Sequence, residues 1–427
     1  MPIDPPRTPA AIIARYALTV HAVARAEHQV VSGLGAWLVL AMAGQAGTTA
    51  DSDGGDAGAR RAVEAALGLP LAEAGQLAVD LLERLPPAVV AALGLWWRED
   101  VVTDQLTAYA VRLPTDATRG PLTGQEQLDA WARERTLGLI TRFPGTVTPD
   151  LALVLASAVA TKVRWWQPFD VVPATELALS ARRRGFADSV TRALRSPSGH
   201  DVRLVRTQAA GLVGAHVAAS KDGLAVVSVL GAPHVDRAAV LAAAHEVALG
   251  LNGIRIGEHV SLFDVPAGRS ELGEIAEETV MASGSTEVGR AVLPTWHAST
   301  DIDLLKGPTA DGFQAAGRLL AGLLPPDPIR LDARQTAVAN YTREGFEAAA
   351  VTSLGVALSA PAERQVLRRT LTLRFNRPYA AVAVTAEPSR AGGRPGVDNQ
   401  NATPPATPFI LPVFSAWVAE PGETPAP

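Results

Sequence analysis

The spacing of apolar and polar positions divides the chain into a helical first part and a strand-rich second part. After Pro9, Ile13, Tyr16, Val20 and Val23 recur at helical spacing and predict an amphipathic first helix. From Ser32, SGLGAWLVLAMAGQAG is apolar nearly all round and predicts a second, buried helix. Thr49 to Gly58, with its Asp and Gly residues, reads as a solvated loop, and ARRAVEAALGL as a short helix ended by Gly68 and Pro70. In QLDAWARERTLGLI, Leu128, Trp131, Leu137 and Ile140 fall broadly on one helical face. The continuous apolar run Leu151 to Ala160 fits a buried central strand or a short helix, and it leads into TKVRWWQPFD. DVRLVRTQ, GLVGAHVAA and LAVVSVLGAP then read as strands, AAVLAAAHEVALGL as a helix, and AVLPTWHASTDIDLL and RQTAVANYTRE as further strands. AAVAV after Tyr379 and PFILPVFSAWVAEP predict two buried strands, separated by a Gly-, Pro-, Asn- and Ala-rich segment, Thr385 to Pro408, predicted to be disordered. Helices first and strands after, without regular βαβ alternation, predict an α+β fold.

One stretch fits two descriptions. Gly345 to Asn376 reads GFEAAAVTSLGVALSAPAERQVLRRTLTLRFN, breaks at Pro361 and ends in a strand that runs into Arg377-Pro378-Tyr379. With period 2, Phe346, Ala348, Ala350, Thr352, Leu354, Val356 and Leu358 form one face that a core could bury. Phe346, Ala350, Leu354 and Leu358 also fit an i, i+4 helix. Such a segment suits two conformations, or a plain surface helix.

Composition narrows the function. At 427 residues and 48% hydrophobic, the chain can bury a large core as one domain or as two or three. No apolar run reaches the ~18 residues of a membrane helix, so a soluble protein with no membrane partner is expected. A formal net charge of −5 leaves no electrostatic footprint for nucleic acid. The absence of cysteine excludes disulfides, thiolate metal sites and a cysteine nucleophile. Arg15 and His21 interrupt the N-terminal apolar stretch, so no secretory signal is visible and a cytoplasmic location is expected. There is no Gly-x-Ser-x-Gly elbow, phosphate loop or His-Glu-x-x-His pair. His245-Glu246 reads as a surface pair and His297 as a strand residue, and no catalytic residue, metal or cofactor is assigned.

Several segments, in order along the chain, resemble the serpin family. Its third central strand reads Asn-Ala-x-x-Phe-Lys-Gly-x-Trp-x-x-Pro-Phe. Ser157-Ala158, Lys162, Trp165 and Pro168-Phe169 stand in those places, with Thr161 for Phe and Val163 for Gly. Ser32-Gly33-Leu34-Gly35 keeps the first Ser of Ser-Pro-x-Ser, and Ala41-Met42 follows it. Asp129, Trp131, Thr136, Gly138 and Ile140 match Asn-x-Trp-x-x-x-x-Thr-x-Gly-x-Ile, and Leu293-Pro294 with Asp303-Leu304 resembles Leu-Pro-x-Phe and Tyr-Asp-Leu. Gly345 to Ala350 resembles the hinge Gly-Thr-Glu-Ala-Ala-Ala, and Phe375 to Tyr379 resembles Phe-Asn-Arg-Pro-Phe. The resemblance runs from Ile12 to Pro421, and the Arg- and Ala-rich composition fits a divergent, bacterial-type member.

The resemblance implies one serpin domain over 1–427, with a core of about 12–421, an insertion at 385–408 and a tail at 422–427. Helices of the first half would pack on a large central sheet, and a reactive-centre loop would be exposed. Cut by a protease, the loop inserts as a new central strand and carries the acylated protease with it. The implied hinge is Arg343, Glu344, Gly345, Phe346, Glu347, Ala348, Ala349, Ala350, Val351 and Thr352, with breach and shutter residues Trp165, Lys162, Ser157 and Ser32. Family spacing from Gly345 puts the reactive bond at Ser359-Ala360, with Leu358-Ser359 next. The extra length to Asn376 then falls in Pro361 to Thr370; placed before the bond instead, it would make Arg364, Arg368 or Arg369 the bait for a trypsin-like protease. Leu358 or Ser359 favours a chymotrypsin-, subtilisin- or elastase-like serine protease as partner. A monomer is expected, and the family allows the extracellular space.

Three departures bear on inhibition. Phe346 stands where inhibitory members have Thr or Ser, so a bulky ring must enter the sheet first and is expected to slow insertion. Arg343 replaces an acidic residue and Thr295 a basic one, so the usual breach ion pair is missing. The alternatives are a serpin fold used for binding, storage or folding assistance, and an α/β enzyme without recognisable motifs.

Overall fold

Thr8 and Pro9 start the first helix where the sequence places it, Thr8 Oγ1 accepting the Ala11 N–H at 3.2 Å. The computed structural model describes residues 8–48, 56–180, 184–252, 258–282, 286–326, 332–346, 364–385 and 410–423. In chain order its elements are α1 (Pro9–Val23), β1 (Gln29–Val31), α2 (Gly33–Gly44), α3 (Ala57–Leu67), α4 (Leu71–Arg84), β2 (Val89–Trp97), α5 (Asp104–Arg112), β3 (Thr118–Pro121), α6 (Gln125–Arg135), β4 (Leu153–Thr161), β5 (Val163–Arg164), β6 (Asp170–Pro173), β7 (Arg192–Arg195) and β8 (Asp201–Thr207). They continue as β9 (Gly211–Ala219), β10 (Leu224–Leu230), α7 (Arg237–Leu249), β11 (Glu258–Val260), β12 (Gly268–Arg269), β13 (Gly273–Ala282), β14 (Thr286–Leu293), β15 (Trp296–Asp303), α8 (Ala310–Ala321), β16 (Arg334–Tyr341), β17 (Gly345–Phe346), β18 (Arg364–Arg374), β19 (Tyr379–Thr385) and β20 (Pro412–Val418). Two compact units divide them: Met1–Thr161, Ala298–Val338 and Pro412–Ser415 form the first, and the remainder forms the second.

In the first unit α2 is buried along its length apart from Val39, as an all-round apolar helix must be. Gly68 ends α3 in the left-handed region at φ 75°. β2 pairs antiparallel with β4, Val89 opposite Thr161 and Trp97 opposite Leu153, and parallel with β3. Alternation decides the ambiguous run 151–160 in favour of a strand. Val154, Ala156 and Ala158 pack with Leu128 and Trp131 of α6 and with Trp96, whose ring meets Trp131 edge-on at 5.0 Å. Ser157 and Val159, on the opposite face, approach Gly35 of α2. The described residues also form a three-stranded sheet, β3-β2-β4, and a pair, β15-β16, while the largest sheet has seven strands in the order β1-β20-β19-β10-β9-β8-β11.

In the second unit β19, β10, β9, β8 and β11 form consecutive antiparallel neighbours, and α7 packs on β10 and β19. A second sheet has the order β12-β13-β18-β14-β7-β6, in which β18 runs antiparallel to β13 and parallel to β14.

Several expectations change. Ala57 and Gly58 belong to α3, capped by Asp56, while 49–55 lie outside the described residues. Leu137 follows α6 at φ 56° and is 45% exposed, so it leaves the helical face. His245 is buried on α7 rather than at the surface, and Glu246 accepts the Gln208 and Ala209 N–H groups. Thr385 is a buried residue of β19, with 386–409 outside the description. Gly422 and Glu423 are docked rather than a free tail: Gly422 bridges to Thr295, and Glu423 accepts the Thr191 N–H at 2.9 Å.

Candidate functional site

Arg343 to Phe346, the described part of the stretch expected to be a hinge, belong to the second unit. After Tyr341 the chain turns, and Thr342 closes the turn, its N–H and hydroxyl both donating to the Gly345 carbonyl at 3.0 and 2.9 Å. β17 then runs antiparallel to β5, Gly345 opposite Arg164 and Phe346 opposite Val163. A Cβ on Gly345 would lie 2.2 Å from the Val163 carbonyl oxygen, so this approach requires glycine. Trp165 donates its N–H to the Glu344 carbonyl at 3.1 Å and its indole N–H to the Thr342 carbonyl at 3.0 Å.

Around that ladder the aromatic side chains interlock. The Phe346 ring is buried and meets Trp296 edge-on at 6.3 Å; Trp296 stacks on Tyr341 at 5.7 Å, and Tyr341 leans on Trp165 at 5.2 Å. Strand alternation turns Val163 and Trp165 inward and leaves Lys162 and Trp166 exposed, with Lys221 Nζ 5.3 Å from the Trp166 ring. Arg343 is held locally: it pairs with Glu344 at 3.2 Å, donates Nε–H to the Phe169 carbonyl at 3.2 Å, and its carbonyl accepts the Phe169 N–H at 3.1 Å. Thr295 is fixed by Gly422, which takes its hydroxyl at 2.8 Å. Arg343 and Thr295 are thus each held by local attachments.

Below Phe169 lies a histidine pair that sequence reasoning missed. Phe169 meets His200 edge-on at 4.8 Å and His216 at 5.6 Å. The His200 Nε2–H donates to the Gln167 carbonyl at 2.9 Å, which makes Nδ1 the acceptor for the His216 Nε2–H at 3.0 Å. His216 Nδ1 then has no hydrogen-bond partner among the described residues. Burial pushes the His200 pKa down to about 4 against the opposing Gln167 hydrogen bond, and burial together with His200 holds His216 well below the usual range. The only signal in the sequence was scattered histidines in strand-like segments.

The other predicted residues meet in the first unit. Ser32 caps α2 by accepting the Gly35 N–H at 3.0 Å, and its hydroxyl donates to the Val413 carbonyl at 3.0 Å. Ser157 donates to the Gly35 carbonyl at 2.7 Å. The Gln335 amide bonds both the N–H and the carbonyl of Ser32, at 3.0 and 2.8 Å. The start of α2 is therefore tied to β4, β16 and β20. Among the described residues no ladder joins β4 to β16. A cavity of about 170 Å³ is lined instead by Leu155, Ser157 and Val159 of β4, Gln335 and Thr336 of β16, Val39 of α2 and Trp131 of α6.

No protein-family model matches the chain, and no curated protein matches it. Solved structures do. Native tengpin, a thermophilic serpin, gives a TM-score of 0.59 at 14% identity, covering 98% of this chain and 95% of tengpin. The chain has the serpin fold. Human thyroxine-binding globulin, a serpin-fold structure solved with thyroxine, gives 0.60 at 12% identity over 96% of this chain and 98% of its own. Tengpin in its latent state gives 0.55 at 14%, covering 99% and 100%.

Of the residues expected at the breach and shutter, Trp165 is buried against the 342–345 turn, Lys162 beside it is exposed, and Ser32 and Ser157 meet at Gly35. Of the expected hinge, Arg343 to Phe346 are described; Glu347 to Thr352 and the expected reactive bond, Leu358-Ser359-Ala360, lie outside the described residues. The trypsin-like alternative loses two of its baits. Arg368 and Arg369 sit inside β18, and the Arg369 side chain is only 14% exposed, while Arg364 opens the strand. Phe346 is buried and pairs with Val163 of β5.

Proposed function

We propose that this chain inhibits serine-type endopeptidases as a suicide substrate, cut at Ser359-Ala360, with the segment that follows Phe346 inserting beside β4. The observation that carries this reading is the antiparallel register of β17 on β5. Extended one residue at a time in the inserted form, it would set Ala348 opposite Thr161, Ala350 opposite Val159, Thr352 opposite Ser157, Leu354 opposite Leu155 and Val356 opposite Leu153. Directly opposed residues share a face, so the apolar set beginning at Phe346 takes the side on which Val163 is buried and Ser157 and Val159 meet α2. The other set, Ala349, Val351, Ser353 and Gly355, is mostly small and takes the side packed under α6. The cavity between β4 and β16, with no ladder across it, suits an added strand.

The reactive bond remains assigned to Ser359-Ala360, with Leu358-Ser359 second, which favours chymotrypsin-, subtilisin- or elastase-like targets. A second reading, a serpin-fold binding protein without inhibition, is favoured by the packing of Phe346 on Trp296, which holds the hinge in place. Incubation with the three protease classes separates the two. An SDS-resistant complex with release of the peptide beginning at Ala360 supports inhibition; complete cleavage with no complex supports the second reading.

A further inference from the structure

Lysine is nearly absent from this chain, and two of its three lysines stand at one exposed tryptophan. Of 38 basic residues only Lys162, Lys221 and Lys306 are lysines. Lys306 is paired with Asp303 at 2.7 Å. The other two belong to the second unit and are exposed.

The strand from Lys162 to Trp166 brings them together. Its side chains alternate between core and solvent, so Val163 and Trp165 are buried while Lys162, Arg164 and Trp166 share the outer face. Gly345, opposite Arg164, adds no side chain to that face. On the other flank the Trp166 N–H donates to the Ala219 carbonyl at 2.8 Å and the Lys221 N–H to the Arg164 carbonyl at 3.4 Å. Lys221 Nζ then lies 5.3 Å from the centre of the Trp166 ring.

A lone exposed ring would need no explanation, but this one ends a charged row. Trp166 is 45% exposed. Arg164 stands one same-face step of about 7 Å before it, and Lys162 a second such step. The Arg164 and Lys221 side chains form no ion pair among the described residues. Of the neighbouring carboxylates, Glu344 is taken up by Arg343 at 3.2 Å, which leaves Asp222. Three cations against one carboxylate make an electropositive strip on a chain of net charge −5.

The order of these groups defines the ligand. A repeating anionic polymer would be met by cations on both sides of the ring, whereas Gln167 and Pro168 follow Trp166. A platform at one end and cations on one side of it suit a molecule with a flat ring at one end and phosphates at the other. We propose that the outer face of 162–166, with Lys221, binds a nucleoside di- or triphosphate, the base stacked on Trp166 and the phosphates on the Arg164 fork and the Lys162 point charge. This binding needs neither a cut loop nor an inserted strand, and it does not rest on the inhibitory reading.

Isothermal titration calorimetry of the uncut chain with magnesium-free adenosine triphosphate, with adenosine and with tripolyphosphate tests it. The whole nucleotide should bind at least about tenfold more tightly than either fragment, because each fragment keeps one half of the contacts. Trp166→Ala should weaken the nucleotide about five- to a hundredfold, the range of base–aromatic stacking, and leave tripolyphosphate unchanged. Arg164→Gln should weaken nucleotide and tripolyphosphate alike, about tenfold, and leave adenosine unchanged. Both side chains reach solvent, so both variants should keep the parent's unfolding midpoint. The proposal is overturned if the nucleotide binds no more tightly than tripolyphosphate, or if both variants, folded as the parent is, bind it as the parent does. Loss of all three affinities together on adding salt would overturn it too, since stacking of the uncharged nucleoside is not screened.

Discussion

The two ends of the proposed loop are anchored in opposite ways. Among the described residues the N-terminal anchor is β17, Gly345 and Phe346, with one partner strand and one buried ring, above a pair of neutral histidines. The C-terminal anchor is β18, eleven residues long, paired on both sides and crossed by Arg–Glu contacts. A short ladder with a single aromatic plug can grow or be withdrawn at little cost, whereas a strand inside a sheet must lose both ladders to move. The difference teaches that motion, if it comes, comes from the Gly345 side, and it predicts different responses at the two ends.

Cutting the loop should give the largest effect. Separating the anchors frees β17 to extend along β4, burying Leu354 and Val356 at about 1.5–3 kcal/mol each and adding backbone hydrogen bonds. The gain of several kcal/mol should raise the unfolding midpoint by about 10 °C, as differential scanning calorimetry of intact and singly cut protein would record. An unchanged or lower midpoint would mean that neither anchor is a growing strand, and the comparison would lose its basis.

Substitution at β17 is next in size. Gly345→Ala places a methyl group against the Val163 carbonyl and should detach β17 from β5, destabilising the uncut protein by about 1–3 kcal/mol. Phe346→Thr tests the ring itself. Because the ring is already packed on Trp296, its loss should lower the unfolding midpoint and reduce the number of protease molecules trapped per molecule cleaved. More trapping with Thr would restore the expectation drawn from the sequence, that the ring obstructs insertion. The same changes should leave amide exchange in β18 untouched.

How the sequence spoke of these two anchors was itself unequal. Gly345 to Ala350 stood out because it resembles a known pattern, and the fold sets Trp165 against the 342–345 turn and Ser32 and Ser157 together at Gly35. The packing of Phe346 was illegible because its partner, Trp296, is fifty residues away, and only the fold brings the rings together. The pairing of β13 with β18 was illegible for a similar reason. GEIAEETVMA has no apolar face for periodicity to find, and what makes it a strand is its match of Glu274, Glu277 and Glu278 to Arg374, Arg369 and Arg368 about ninety residues later. Helix α1 was legible because it buries residues at helical spacing, and α2, β9 and β10 because each is an apolar run buried nearly throughout. α4, β2 and α5 went unread; LAEAGQLAVDLLER does carry a helical period, with Leu71, Ala74, Ala78 and Leu81 buried.

Acid should separate the anchors by a smaller, graded effect. His200 and His216 are neutral in the fold, the first with its pKa pushed down to about 4 and the second held well below the usual range, whereas in the unfolded chain both titrate near ~6.5. Below that pH the unfolded chain binds protons that the folded chain refuses, so their contribution is complete above about 6.5 and is lost as pH falls toward 4, at about 1.4 kcal/mol per pH unit per histidine. His245, pushed down to about 4 by burial on α7, adds a third such share away from the hinge. His245→Leu removes that share; with both ring nitrogens unpartnered among the described residues, the change should also be neutral or stabilising by about 1 kcal/mol at pH 7. In the His245→Leu background, what remains of the acid slope belongs largely to the pair under Phe169, which is hydrogen-bonded to Arg343 through its backbone. β13, β14 and β18 contain no histidine. Hydrogen exchange between pH 7 and 5, corrected for intrinsic rates, should therefore show protection lost first at 165–169 and 342–346 and retained along 366–374. Equal loss at both anchors would show that acid acts on the whole fold and that the histidine pair has no special hold on the hinge.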